Sequence, residues 1–268
     1  MPLVVSLLFL LAAGLYCAQG VVAIVGVWRP VGPGWARRFG LAATGAALHT
    51  AFLVCRALAE RGLPLATRLD SLALFLWVLV VVFLACQRPY KVGGVAPVFW
   101  PGLGVGAVLA WAVAGREPVA EGLERLWLVL HLVPVYVGYA GFALGAGAGV
   151  CYLVQERLLR GKGAAARWRK FPSLETLERV GRASLSLGFP ALTVGLAAGA
   201  LWAVQASERL GPTWYMDPKV VAGLVVWIFY AAVLHIRLLG RVRGRWAAVL
   251  TIAGFALTVG TFAAAHFY

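Results

Sequence analysis

The stretch HLVPVYVGYAGFALGAGAGVCYLV, His131 to Val154, runs for 24 residues without a charged side chain. About twenty apolar residues suffice for an α-helix to cross the roughly 30 Å hydrocarbon core of a bilayer, since each residue adds about 1.5 Å and a helix satisfies its own backbone polar groups. The stretch therefore reads as a membrane span. Gly141, Gly145 and Gly149 recur at four-residue spacing, which lets helices approach closely in lipid. Gly138 and Gly145 follow His131 at seven-residue steps, so a helix sets all three on nearly one face, an imidazole near its end above a smooth groove.

The rest of the chain repeats the pattern. Of 268 residues, 62% are hydrophobic and 13% charged, and the mean hydropathy is +0.86, which excludes an ordinary soluble domain. Apolar runs predict eight spans at about 2–27, 38–59, 71–86, 92–114, 127–155, 183–205, 220–238 and 246–268. The fold expected is all-α, a polytopic integral membrane protein organised as a single membrane domain over 1–268. The first run lacks a basic leading segment and is too long for a signal-peptide core, so it is expected to be retained.

A net charge of +14 invites a nucleic-acid reading, but the charge is one-sided. The first, third, fifth and seventh connections hold 17 of the 24 basic residues and only three acids, Glu156, Glu175 and Glu178. The alternate connections balance seven basic against seven acidic residues. Positive connections stay in the cytoplasm, so both termini are expected outside and the basic charge is a topology signal rather than a nucleic-acid surface. The longest connection, 156–182, is expected to be a basic cytoplasmic loop leading into a short amphipathic helix, suited to anionic lipid or to a soluble partner.

No phosphate-binding glycine loop, GxSxG or HExxH occurs, and Cys17, Cys55, Cys86 and Cys151 form no CxxC. What chemistry remains lies in four histidines, all within or at the ends of spans, where a coordinating group is costly and marks a site or cavity. His131 and His266 fall at the outer face, His49 near mid-span and His235 toward the cytoplasmic end of its span. Beside the outer pair stands GPTWYMDPK, Gly211 to Lys219, a polar and aromatic connection between apolar runs. Two neutral imidazoles beside aromatic side chains suit a porphyrin, with Trp214, Tyr215, Asp217 and Lys219 as a rim; unrelated interfacial histidines are the alternative the spacing leaves open. Asp217 and Pro218 also suit the first positions of a helix.

Several motifs together resemble the cytochrome c assembly family, which includes CcsA, CcmC and the HemX-like proteins. The family's tryptophan-rich WGxxWxWDPKE is matched by Gly211, Trp214, Asp217, Pro218 and Lys219. LHxR is matched by Leu234, His235 and Arg237, GRxA by Gly244, Arg245 and Ala247, and GF by Gly254-Phe255. Upstream, His49, Arg56, Gly62, Pro64, Ser71 and Leu72 match HxxxLxxRxxxxGxxPxxxxxESL with Asp70 in place of the glutamate, and His131, Tyr139 and Phe142 match a further segment. The likeness covers about 40–268. It implies a multi-pass protein of a bacterial-type plasma membrane that handles haem b at the outer face between two axial histidines, for attachment to apocytochrome c together with other maturation proteins. His131 stands at the first such histidine and His266 is the second candidate. His49 and His235 correspond to histidines that relay or hold haem within the membrane. Leu210, Met216 and Val220 stand where the family has tryptophan, tryptophan and glutamate. That incomplete motif and the eight spans resemble the HemX-like branch, which implies a haem chaperone rather than a complete lyase. It also implies, as the alternative, control of haem synthesis through a cytoplasmic tetrapyrrole-pathway enzyme; haem transport is a further alternative.

Overall fold

A computed structural model describes residues 3–28, 35–65, 67–90, 92–115, 125–160 and 172–267. The helices are α1 (Leu3–Trp28), α2 (Trp35–Glu60), α3 (Arg68–Tyr90), α4 (Ala96–Val113), α5 (Arg125–Arg160), α6 (Leu174–Gln205), the one-turn α7 (Ser207–Leu210), α8 (Pro218–Leu238) and α9 (Gly244–Phe267). Turns of 3-10 helix occur at Val92–Val95 and Trp214–Met216. Eight helices are long and apolar enough to cross a membrane, and among the described residues there is no strand. The chain is a multi-pass, all-helical membrane protein.

Two of the expected boundaries move. With 36 and 32 residues, α5 and α6 reach about 54 and 48 Å, beyond the roughly 30 Å that the hydrocarbon demands. The amphipathic segment expected toward the end of 156–182 is the first turns of α6 itself. Ser173 caps that helix by accepting the Thr176 amide at 3.2 Å, and Glu175–Arg179 and Glu178–Arg182 pair at helical spacing. With no breaker before Pro190, the span and its polar extension stay one rod. The middle of that basic connection lies outside the described residues.

The helices cluster as two compact units, one within Met1–Ala85 and Gly93–Gly122, the other within Cys86–Val92, Leu123–Lys162 and Pro172–Tyr268. In the first, α1 packs against α2 and α4. A Cβ on Gly20 would lie 2.9 Å from the Pro101 backbone, and one on Gly104 would strike Cys17, so these glycines permit the α1–α4 approach. Larger side chains bridge α3 to its neighbours: Phe83 stacks on Phe99 at 4.1 Å, and the Trp77 indole donates to Thr50 Oγ1 at 2.9 Å. At one end Arg56 grips Asp70 with two hydrogen bonds of 2.7 and 2.6 Å, while Thr67 donates its amide and hydroxyl to the same carboxylate. The Arg and Asp of the upstream motif thus weld the end of α2 to the start of α3.

The second unit is a four-helix bundle in which α5 and α8 each touch both α6 and α9. The face of α5 that promised a groove below His131 is filled. Added Cβ atoms on Gly138 and Gly141 would strike α6 at Leu192, Gly188 and Ser184, and on Gly149 would strike α9 at Ala248. The glycine spacing serves close packing. Trp227 donates to Thr193 Oγ1 at 2.9 Å, repeating the Trp–Thr bridge of the first unit; such interhelical bonds are worth about 0.6 kcal/mol on average in membranes. The α8 helix ends in a Schellman turn at Gly240, with Arg241 N–H to Ile236 O at 3.2 Å and Gly240 N–H to Arg237 O at 3.0 Å. Arg237 of the LHxR motif donates to Thr251 of α9 at 3.2 Å, beside a space of about 10 Å³ that would hold about one water. The LHxR arginine ties α8 to α9.

Candidate functional site

The connection Gly211–Lys219 is shaped by its own backbone. Gly211 has φ 83° and ψ 167°, a region open essentially to glycine alone, and it ends α7. A 3-10 turn follows, with Met216 N–H to Thr213 O at 2.8 Å and Asp217 N–H to Trp214 O at 3.1 Å. The Asp217 carboxylate then accepts the Lys219 amide at 2.8 Å, capping α8, and Pro218 takes the first helical position. Gly211, Asp217 and Pro218 therefore shape the local backbone. Trp214 and Tyr215 meet edge to face at 6.2 Å, Tyr215 and Met216 are 52% and 66% exposed, and Lys219 beside them is exposed too. The turn presents an aromatic pair, a thioether and a cation outward.

His131 lies in the second turn of α5 and is half-buried against α6. Its Nδ1 is 2.8 Å from the Gly195 carbonyl oxygen. A carbonyl can only accept, so Nδ1 carries a proton; when the ring is neutral, Nε2 then holds the lone pair with which imidazole ligates a metal. Gly199 makes the seat: a Cβ there would lie 2.6 Å from Nδ1 and 2.9 Å from Cε1. No motif in the sequence marks Gly195 or Gly199, although Gly188, Gly195 and Gly199 form a small-residue stripe on α6 that could have pointed to them.

Helix register relates the other candidates to His131. Gly145 faces Thr251, Gly149 faces Ala248 and Tyr152 meets Gly244, so α5 and α9 run antiparallel. Carried to the far end, that register sets position 266 at the height of His131. Gly223 of α8 faces Leu196 of α6 and Trp227 reaches Thr193, which sets Lys219 and Val220 at the height of Gly199. One end of the bundle thus gathers His131, position 266 and the Trp214–Lys219 turn, while Arg157, Arg160, Arg179, Arg182, Arg237, Arg241, Arg243 and Arg245 lie at the other. His235 belongs to that basic end and is exposed on α8, away from His131.

His49 belongs to the first unit and is fully buried. Its ring is surrounded by Phe9 at 5.3 Å, Tyr16 at 6.0 Å and Phe52 at 6.4 Å between centroids. Nδ1 is 3.3 Å from the Tyr16 hydroxyl, which can donate or accept, and the Ala73 backbone hydrogen-bonds the ring.

His131 thus has Nδ1 held by the protein and Nε2 left over. That fits a haem iron by donor chemistry, since a neutral imidazole anchored on one nitrogen offers the other.

The chain is similar to known proteins along most of its length. Residues 41–264 match the Cytochrome C assembly protein family. Among similar proteins, the cytochrome c biogenesis protein CcsA of Synechococcus sp. (strain CC9311) is 31% identical over 245 residues, covering 80% of this chain and 79% of that protein. CcsA of Prochlorococcus marinus (strain NATL1A) is 29% identical over 246 residues, 80% and 77% of the two chains. CcsA of Microcystis aeruginosa (strain NIES-843 / IAM M-2473) is 26% identical over 269 residues, 81% of each. From α2 through α9, the chain belongs to the cytochrome c assembly protein family.

Proposed function

We propose that the chain acts in cytochrome c biogenesis by holding haem b at the loop end of the second unit, between His131 and His266, and offering it to apocytochrome c. The observation that carries this reading is the His131–Gly195 hydrogen bond, which spends Nδ1 and leaves Nε2 for iron. Trp214, Tyr215 and Met216 supply apolar and aromatic surface suited to a porphyrin edge, and Lys219 is the cation suited to a propionate. Asp217, occupied in capping α8, orders that turn. The basic end of the same bundle faces the cytoplasm by the positive-inside rule, so the haem end faces outward across a bacterial plasma membrane. His49 and His235 serve haem within the membrane. Nothing in these residues suggests bond-making chemistry of their own, so the role is delivery.

The absorption spectrum of the purified protein tests this. The wild type is expected to carry a low-spin haem Soret band, and His131→Ala and His266→Ala are each expected to retain far less haem. Full haem content in the double variant would refute ligation by this pair.

A further inference from the structure

We propose that the basic end of the second unit holds an anion site, in which Arg237 takes one oxygen of a phosphate group. The site lies at the far end of the bundle from His131 and does not depend on the haem reading. A half-open cleft there is lined by residues of α5, α6, α8 and α9. Gly145 and Gly149 of α5, Gly181 of α6 and Gly244 of α9 form much of its wall, so backbone lies open where side chains would otherwise close it. Its enclosed part, about 10 Å³, has room for one oxygen atom the size of a water, while the rest of a larger group stays at the mouth.

Arg237 lines this cleft and is half-buried. A guanidinium has five N–H donors and no acceptor. Among the described residues one of the five is spent, from Nη1 to Thr251 Oγ1 at 3.2 Å. Thr251 donates its own proton to the Ala247 carbonyl at 2.7 Å, so its oxygen accepts from Arg237 and fixes the direction of the guanidinium. The guanidinium lies over Gly181, where an added Cβ would stand 3.8 Å from Nη2. Glu178 shares the cleft but pairs with Arg182 at 3.6 Å, so two guanidinium groups face one carboxylate. The start of α9, at Gly244 and Ala247, adds the positive end of a helix dipole. Unspent donors on a cation at the membrane boundary call for an acceptor. A tetrahedral phosphate can seat one oxygen in the cleft and keep others at the mouth, near Arg182 and the Tyr152 hydroxyl that stands beside Gly244. Basic pockets between transmembrane helices on the cytoplasmic side bind such headgroups, and the positive-inside rule puts this end on that side. Two sources bring phosphate here: the headgroup of an anionic phospholipid, and free phosphate in the cytoplasm.

The test uses the full chain in detergent with two probes. Its thermal midpoint is titrated against sodium phosphate at an ionic strength held constant with sodium chloride, and the phosphatidylglycerol it retains is counted by native mass spectrometry. The wild type is expected to bind at least one probe, and Arg237→Gln to weaken that binding about 10-fold or more. Gly181→Ala sets a methyl in ordinary contact with the guanidinium and narrows the cleft while keeping Arg237. It should weaken binding severalfold, and it decides the matter if Arg237→Gln folds poorly. Arg243→Gln, exposed at the same end and outside the cleft, should bind as the wild type does. A midpoint raised by phosphate marks the free anion as the ligand; retained phosphatidylglycerol marks the lipid. If the wild type binds neither probe, or if Arg237→Gln and Gly181→Ala bind as well as the wild type, there is no such site. If Arg243→Gln weakens binding as much as Arg237→Gln, the anion senses only the diffuse charge of this end and the proposal fails.

Discussion

An alanine at position 199 is expected to strip the loop-end site of most of its haem while leaving the protein folded. The added Cβ would lie 2.6 Å from His131 Nδ1, closer than any real contact of that kind, so the ring must leave its seat and with it the Gly195 carbonyl at 2.8 Å. Loss of an anchoring hydrogen bond behind a metal ligand costs about 10- to 100-fold in affinity. Glycine to alanine within a helix favours the fold by about 1 kcal/mol, which offsets part of the about 1–3 kcal/mol that the crowding and the lost hydrogen bond cost. The haem-to-protein ratio should fall severalfold while the haem-free protein still unfolds in one cooperative transition, its midpoint shifted by a few degrees at most. A Gly199→Ala protein with full haem content would mean that His131 needs no anchor, or is no ligand.

The second large effect is on stability. Asp70 is fully buried, and its carboxylate takes both hydrogen bonds from Arg56 and two from Thr67. Asp70→Ala leaves a guanidinium with only 15% of its side chain exposed facing an empty seat, apart from Glu60 at 2.5 Å. Breaking a buried pair from one side costs about 3–5 kcal/mol. Glu60→Ala, which leaves the Arg56–Asp70 fork whole, should cost about 1 kcal/mol or less. Thermal unfolding in detergent separates the two: a clear drop for Asp70→Ala and a small one for Glu60→Ala. Equal midpoints would show that the α2–α3 weld does not depend on this carboxylate.

The number and order of the spans were legible because about twenty uncharged residues in a row leave the backbone few alternatives to a membrane helix. Helix ends were less legible. The start of α6 is decided by one serine cap and two short-range ion pairs, while hydropathy marks only where its lipid-facing stretch begins. The loop motif could be read as a set of residues but not divided by role, since Asp217 looks like part of a rim until its carboxylate is found on the Lys219 amide. The anchor was the hardest. Gly195 serves His131 through a carbonyl, which every residue has; only the packing of α5 on α6 gives it a role. The HemX-like branch, inferred from Leu210, Met216 and Val220, is a finer division than the family match makes, and the similar proteins named above are CcsA.

Ligation of haem by His131 is tested most directly by chemical rescue. In His131→Gly the seat between α5 and α6 is vacated, and imidazole in solution can supply the missing nitrogen. The purified variant is expected to lose the low-spin Soret spectrum and to regain it when imidazole is added with haem. A variant that keeps that spectrum without imidazole, or one that imidazole does not restore although it folds as the wild type does, would contradict His131 as an axial ligand.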